Sequence, residues 1–193
     1  MAEQQKRAPE IQPLTRTQIL VTMGVTAVVL LLIAKLWLQL GNISLLPLNY
    51  TAMALPLGFG LGLIITAASS LIYRLWPAYR TSADYYLELV LKPLVWPDLI
   101  WLALLPGLGE ELLFRGVMLP AFGLELPAVV LSSLCFGILH LSGSEQWPYV
   151  VWATTVGLLL GYSALLTGNL LVPIVAHIFT NIVSSCFWKL GQS

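Results

Sequence analysis

The chain has 193 residues, of which 58% are hydrophobic and only 9% charged, with mean hydropathy +0.86, zero formal net charge and pI near 6.7. Soluble domains average about 25% charged residues, so this is the composition of a polytopic membrane protein. No basic run is present, so nothing in the charge pattern points to a nucleic-acid partner or a polybasic lipid-binding tail.

Residues 1–16 read as a polar tail carrying Lys6, Arg7 and Arg16, too polar to span. Ile19 to Leu40 is a first span, with Lys35 near its end where a long stem can snorkel to the interface. Its apolar core is longer than a signal peptide's and runs on through Leu36-Trp37-Leu38, which predicts an uncleaved helix. Residues 41–50 form a short uncharged loop with Pro47, and Thr51 to Tyr73 is a second span whose Gly58, Gly60 and Gly62 allow close helix approach.

Arg74 to Pro97 mixes basic residues and Asp84 and Glu88 with Trp76, Tyr79, Tyr85, Tyr86 and Trp96, the pattern of a partly helical segment lying in the interface or of a plain solvated loop. Asp98 to Phe122 is the third span, Ala128 to Leu141 a short fourth ending at His140, Trp147 to Leu166 a fifth and Leu170 to Leu190 a sixth. The expected fold is therefore all-α: a polytopic transmembrane bundle of about six spans with its cavity in the membrane, opening toward the cytoplasm. Basic residues gather in the tail, in the 74–97 connection and at Lys189, while loops 41–50 and 167–169 have none, which places both termini in the cytoplasm. Residues 1–93 hold the tail, two spans and the interfacial connection, and 94–190 a catalytic core, in one integrated membrane domain. Cys135 and Cys186 lie in apolar runs without metal-ligand spacing and read as reduced packing residues.

The third span carries the chemistry. Glu110, Glu111 and Arg115 sit within otherwise apolar sequence, and ionised groups in hydrocarbon pair with one another or line a water-filled cavity. Glu111 and Arg115 have the i, i+4 spacing of a helical ion pair with the acid first. Glu110 is rotated about 100° from Glu111 on a helix, so it is left free while its neighbour neutralises the arginine. A free carboxylate in a low-dielectric cavity suits general acid–base work near neutral pH. Pro106, Gly107 and Gly109 just upstream loosen the helix and admit water.

At about 1.5 Å rise per residue, Glu110 lies about 18 Å, His140 about 10 Å, Asn181 about 14 Å and His177 about 20 Å from the cytoplasmic face of a core about 30 Å thick. Polar residues of three spans thus share one depth band. His140 can serve as a second base or hold a water against Glu110, with Phe136 one turn earlier walling the cavity. His177 and Asn181, one turn apart, can donate to an oxygen that develops negative charge. Taken singly, each has a plainer role as a packing ion pair or a helix-to-helix hydrogen bond. Together they read as amide hydrolysis by activated water.

Glu110-Glu111-x-x-x-Arg115, Phe136-x-x-x-His140 and His177-x-x-x-Asn181, in that order on successive apolar segments, resemble the three motifs of the CPBP intramembrane proteases. That family includes the type II CAAX prenyl endopeptidases and the bacteriocin-immunity (Abi) proteins, and the resemblance covers about residues 94–190. It implies an all-helical membrane protease in which Glu110 and His140 activate water, His177 and Asn181 form the oxyanion hole, and Glu111 positions Arg115. Zinc is the less favoured alternative, because no HExxH motif is present. The implied substrate is a membrane-associated peptide, prenylated in one branch of the family; the short chain points to a compact prokaryotic-type member in the cell membrane. A non-catalytic scaffold or immunity protein of the same fold, and a small transporter, are the rival readings.

Overall fold

The computed structural model describes residues 14–192, so Lys6 and Arg7 of the expected tail lie outside the described residues. The regular structure of those residues is all helical, and they contain no strand. Helices α1 (Arg16–Gly41), α2 (Ala54–Leu75), α7 (Trp147–Thr167) and α8 (Leu171–Gly191) are long and apolar enough to cross a membrane. Helix α3 (Pro77–Leu91) is the helical part of the interfacial connection and is not one of these spans. The remaining two expected spans differ in kind. One is a broken helix: α4 (Asp98–Glu111) passes into a π-helical segment (Leu112–Met118) and a last turn, α5 (Leu119–Ala121). The other, α6 (Leu126–Ile138), has 13 residues and reaches only about 20 Å at 1.5 Å per residue. The whole is an integral membrane helical bundle.

Helix α1 begins at a capping box in which Thr15 and Gln18 satisfy each other's amides, an arrangement whose cap alone is worth about 1 kcal/mol. Only Ile19, Ala27, Leu30 and Ala34 of this helix are buried, a single stripe facing α4; Val21, Val25, Val28, Leu32 and Leu36 are exposed. An apolar patch of that extent is a liability in water and the right surface for lipid. Arg16 grips Asp98 with two bonds of 2.7 and 2.8 Å and so ties the starts of α1 and α4 together. Lys189 of α8 donates to the Leu91 and Leu94 carbonyls at the same end.

Helix α2 lies along α8. A Cβ at Gly58 would come within 2.6 Å of Val175 Cβ, and one at Gly62 within 2.9 Å of the Ala176 carbonyl, whereas Gly60 faces open space. The close approach expected of three glycines is made by two, spaced i, i+4 on one face. At Gly137 an added Cβ would collide with Thr154, so α6 and α7 touch in the same way.

The loop after α1 is more than a connector. Leu46 is buried, and its N–H donates to the Gly116 carbonyl in the π segment at 2.9 Å. The Pro47 carbonyl accepts from Leu170 N–H, and Asn49 exchanges two bonds with the Asn169 side chain. Backbone polar groups away from water need such partners, and here the loop provides and receives them. The two cysteines are free and sit in separate apolar clusters.

Candidate active site

The π segment is where the site is built. A π-helical turn bonds each amide five residues back, and Leu119 N–H accordingly donates to the Phe114 carbonyl. That carbonyl has a second lone pair, which accepts from Ser132 Oγ of α6 at 2.8 Å. The segment is packed from several sides, by α1, α6 and α7, and Leu113 to Met118 are all buried. Widening the helix here adds a residue to the turn that carries Arg115 inward.

Arg115 is completely buried, and so is Glu111. Arg115 Nη1 donates to Glu111 Oε1 at 2.8 Å, and Nη2 donates to the Gly157 carbonyl of α7 at 2.9 Å. The guanidinium lies 4.6 Å from the centre of the Phe136 ring, a cation–π contact in a desolvated setting. Gly157 makes room for this: a Cβ there would stand 3.2 Å from both Arg115 Nη2 and Phe136 Cδ1. Glu111 does more than neutralise the arginine. The same Oε1 lies 2.8 Å from His177 Nδ1 of α8, so one carboxylate oxygen ties α4, the π segment and α8 together.

Glu110 points elsewhere. It makes no ion pair or hydrogen bond among the described residues, and its Oε2 is buried without a protein partner. Beside it, Gly109 packs on Ala27 and Leu30 of α1, and Gly107 packs on Ile178 of α8. The negative charge of Glu110 reaches Tyr86 of the interfacial helix α3, whose phenol is pushed up to about 12, first by burial and then by that charge.

His140 sits two residues past the end of α6, in the turn that follows, not on the span itself as its sequence position suggests. Helix α6 stops at Ile138, and backbone bonds from His140 to Gly137 and from Leu141 to Ile138 tighten the exit. The i, i+4 relation with Phe136 nevertheless holds: His140 Nδ1 lies 2.9 Å from the Phe136 carbonyl. With a proton on Nδ1, the ring donates there and leaves Nε2 as an acceptor. The Phe136 ring stands 4.8 Å from the His140 ring and 5.9 Å from the His177 ring, so it is the partition between the two histidines. Asn181 is half-buried one turn beyond His177 and makes no side-chain hydrogen bond among the described residues.

Two tyrosines join this group: Tyr86, expected in the interfacial segment, and Tyr149, which falls at the start of the expected fifth span. Tyr149, the third residue of α7, stacks on Tyr86 with ring centres 4.7 Å apart, and its ring lies 6.0 Å from that of His140.

A zinc site takes three or four ligands. Glu111 and His177 face each other at hydrogen-bond distance, and no three of the His, Cys, Asp and Glu residues described gather as ligands. The donor set as arranged does not fit a metal centre.

Residues 92–183 match the family described as "Type II CAAX prenyl endopeptidase Rce1-like". Over 129 residues the chain is 30% identical to the uncharacterised protein YpbD of Bacillus subtilis (strain 168), a stretch covering 67% of this chain and 66% of that protein. The chain thus spans just under two thirds of the relative's length. No solved structure matches it.

Proposed function

The chain belongs to the Rce1-like family of type II CAAX prenyl endopeptidases, and from that premise we propose that it is an intramembrane endopeptidase using water activated by Glu110 and His140. The observation that carries this reading is the division between the two glutamates. Glu111 engages Arg115 and His177 through Oε1, and its Oε2 is buried without a protein partner; Glu110, whose Oε2 is likewise buried and unpartnered, has no ion pair or hydrogen bond among the described residues.

In this reading Glu110 takes a proton from water as its oxygen bonds to the scissile carbonyl carbon. His140, turned by its Nδ1 contact to the Phe136 carbonyl, holds that water through Nε2. The carbonyl oxygen gains negative charge and accepts from Asn181 Nδ2 and from His177 Nε2, which is a donor when the ring carries both protons. Glu111 fixes the His177 ring through Nδ1, and Arg115 fixes Glu111. Glu110 then gives its proton to the amine nitrogen as the C–N bond breaks, and two peptide fragments leave. The substrate is a membrane-associated peptide cut near its C-terminus, prenylated or not, in a prokaryotic cell membrane with the basic end of the bundle in the cytoplasm.

The Arg115–Glu111–His177 network would serve a non-catalytic scaffold equally well, so Glu110 is the residue that separates the two readings. The test is cleavage of fluorogenic peptides, farnesylated and unmodified, by detergent-purified protein. Glu110→Gln and His140→Ala should each cut the rate by about 10²-fold or more, the usual contribution of a general base, with Tm unchanged and with no effect of a zinc chelator. Wild-type protein that is folded and cleaves none of the peptides would support the scaffold, and chelator-sensitive cleavage would overturn the glutamate mechanism.

A further inference from the structure

Glu110 is closed off on two sides. A Cβ added at its neighbour Gly109 would stand 3.6 Å from Leu30 of α1, and one at Gly107 2.5 Å from Ile178 of α8, so neither helix leaves room for a peptide against this part of α4. The side that remains is the one under α3 and the start of α7. There the wall is aromatic. Tyr79 and Tyr86, two turns apart on α3, both stack on Tyr149, at 6.2 and 4.7 Å with interplanar angles of 10° and 22°.

Helix α3 differs from the spans in how it is held. Its α7-facing side consists of Tyr79, Ser82, Ala83 and Tyr86, and its polar tie to the turn before α7 is Ser82 Oγ to Gln146 Oε1 at 2.6 Å. The rest of that contact is ring against ring, which can slide without leaving a buried polar group unpaired. Neither the Tyr86 nor the Tyr149 hydroxyl has a hydrogen-bond partner among the described residues, although both rings are half-buried. Phenols in that condition offer donors to an incoming backbone, while their faces offer an apolar surface to a side chain.

We propose that the stacked pair Tyr86–Tyr149 is the entrance wall of the site, and that an extended peptide reaches Glu110 and His140 by packing an apolar side chain against these two rings. This rests on the reading of Glu110 and His140 as the water-activating pair. It makes the two tyrosines substrate-contacting residues that select for an aliphatic or aromatic residue next to the bond that is cut. The Tyr149 ring, 6.0 Å from that of His140, ties the wall to the site.

The test uses the full chain in detergent with Cys135→Ala and Cys186→Ala, so that Glu110→Cys supplies the one thiol. The readout is its labelling rate with a small cationic methanethiosulfonate. Tyr86→Ala and Tyr149→Ala should each speed labelling by about threefold to tenfold, the scale of a lost aromatic contact. Tyr86→Trp, which keeps the stack and enlarges it, should slow labelling, and Leu30→Ala on the closed α1 side should leave it unchanged. Equal labelling in all these variants, or acceleration by Leu30→Ala alone, overturns the entrance. In protein with Glu110 intact, Tyr86→Ala should raise KM for a peptide with leucine beside the scissile bond by a similar factor and leave kcat within about twofold. Labelling that responds as expected in a chain that cleaves no peptide keeps the entrance and removes the endopeptidase reading. Cleavage by a chain whose labelling ignores the tyrosines does the reverse.

Discussion

Glu111 and His177, 66 positions apart in the chain, meet at 2.8 Å through one carboxylate oxygen that also accepts from Arg115. Three ionisable groups share a single buried point, and each is oriented by the others. The consequence is a division of labour between adjacent glutamates: the first can be changed without disturbing the network, and the second cannot.

Glu111→Ala should therefore be the more damaging substitution for folding. Removing one partner of a buried pair leaves an uncompensated charge and costs about 3–5 kcal/mol, whereas replacing both partners by apolar groups of similar size is often close to neutral. Thermal unfolding in detergent should show a large loss of Tm for Glu111→Ala, and recovery of most of it in Glu111→Leu combined with Arg115→Met. Equal damage by the single and the double variant would contradict the account of a charge stranded at Arg115.

The α2–α8 seam gives a prediction with its own internal control. Alanine at Gly58 or Gly62 forces a methyl against Val175 or the Ala176 carbonyl, an overpacking that costs about 1–3 kcal/mol. Alanine at Gly60 meets nothing and should leave stability unchanged or slightly raised. Because α8 carries His177 and Asn181, peptide cleavage should fall with stability at the first two positions and hold at the third. A loss at Gly60→Ala equal to the others would show that glycine serves helix flexibility here and not close approach.

The proximity of Glu110 to the interfacial helix can be read by titration. The Tyr86 phenol is pushed up to about 12, chiefly by burial and secondarily by the charge of Glu110. Tyrosinate absorbance followed from pH 9 to 13 should lose a late step near 12 in Tyr86→Phe. The same step should move to lower pH in Glu110→Gln, because a neutral neighbour opposes ionisation less. The linkage follows from the sign. A phenol whose folded value is raised adds stability that is full below the ordinary value near 10 and is lost as pH rises toward about 12. Tyr86→Phe should accordingly flatten alkaline unfolding in that window. A Tyr86 step that ignores Glu110→Gln would place the carboxylate away from α3.

The helical bundle and the residues of the site were legible in the sequence because hydrocarbon makes both conspicuous. Apolar runs of span length admit few structures, and Glu110, Glu111 and Arg115 have no business in one of them without a cavity or a partner. Other features left no local trace. The π segment over Leu112–Met118 depends on what packs around it, and nothing in Leu-Leu-Phe-Arg distinguishes it from an ordinary turn. The Glu111–His177 contact is a matter of tertiary approach, so spacing revealed the Arg115 pairing and missed this one. His140 lies beyond the end of α6, in a turn closed by its own bond to Gly137, and hydropathy does not register where a helix gives way to such a turn. Tyr86 reads as one of the aromatic residues of an interfacial segment, and Tyr149 as one more residue at the start of an apolar span, because their stacking is a tertiary contact. Leu46 lay in an uncharged loop whose inward reach shows only when Gly116 and Leu170 are in place.

That loop has a consequence for how the protein is made. Leu46 leaves the ribosome long before its acceptor at Gly116, and Pro47 waits longer still for the amide of Leu170. Asn169, which closes on Asn49, arrives with the start of the final helix, the same helix that carries His177 to Glu111 and Asn181 to its place one turn beyond. The Pro47–Asn49 stretch is thus left without its partners until the last helix begins. A chain made only as far as the end of α7 has its glutamates and its first histidine but not its second, and the act that completes the structure also completes the site.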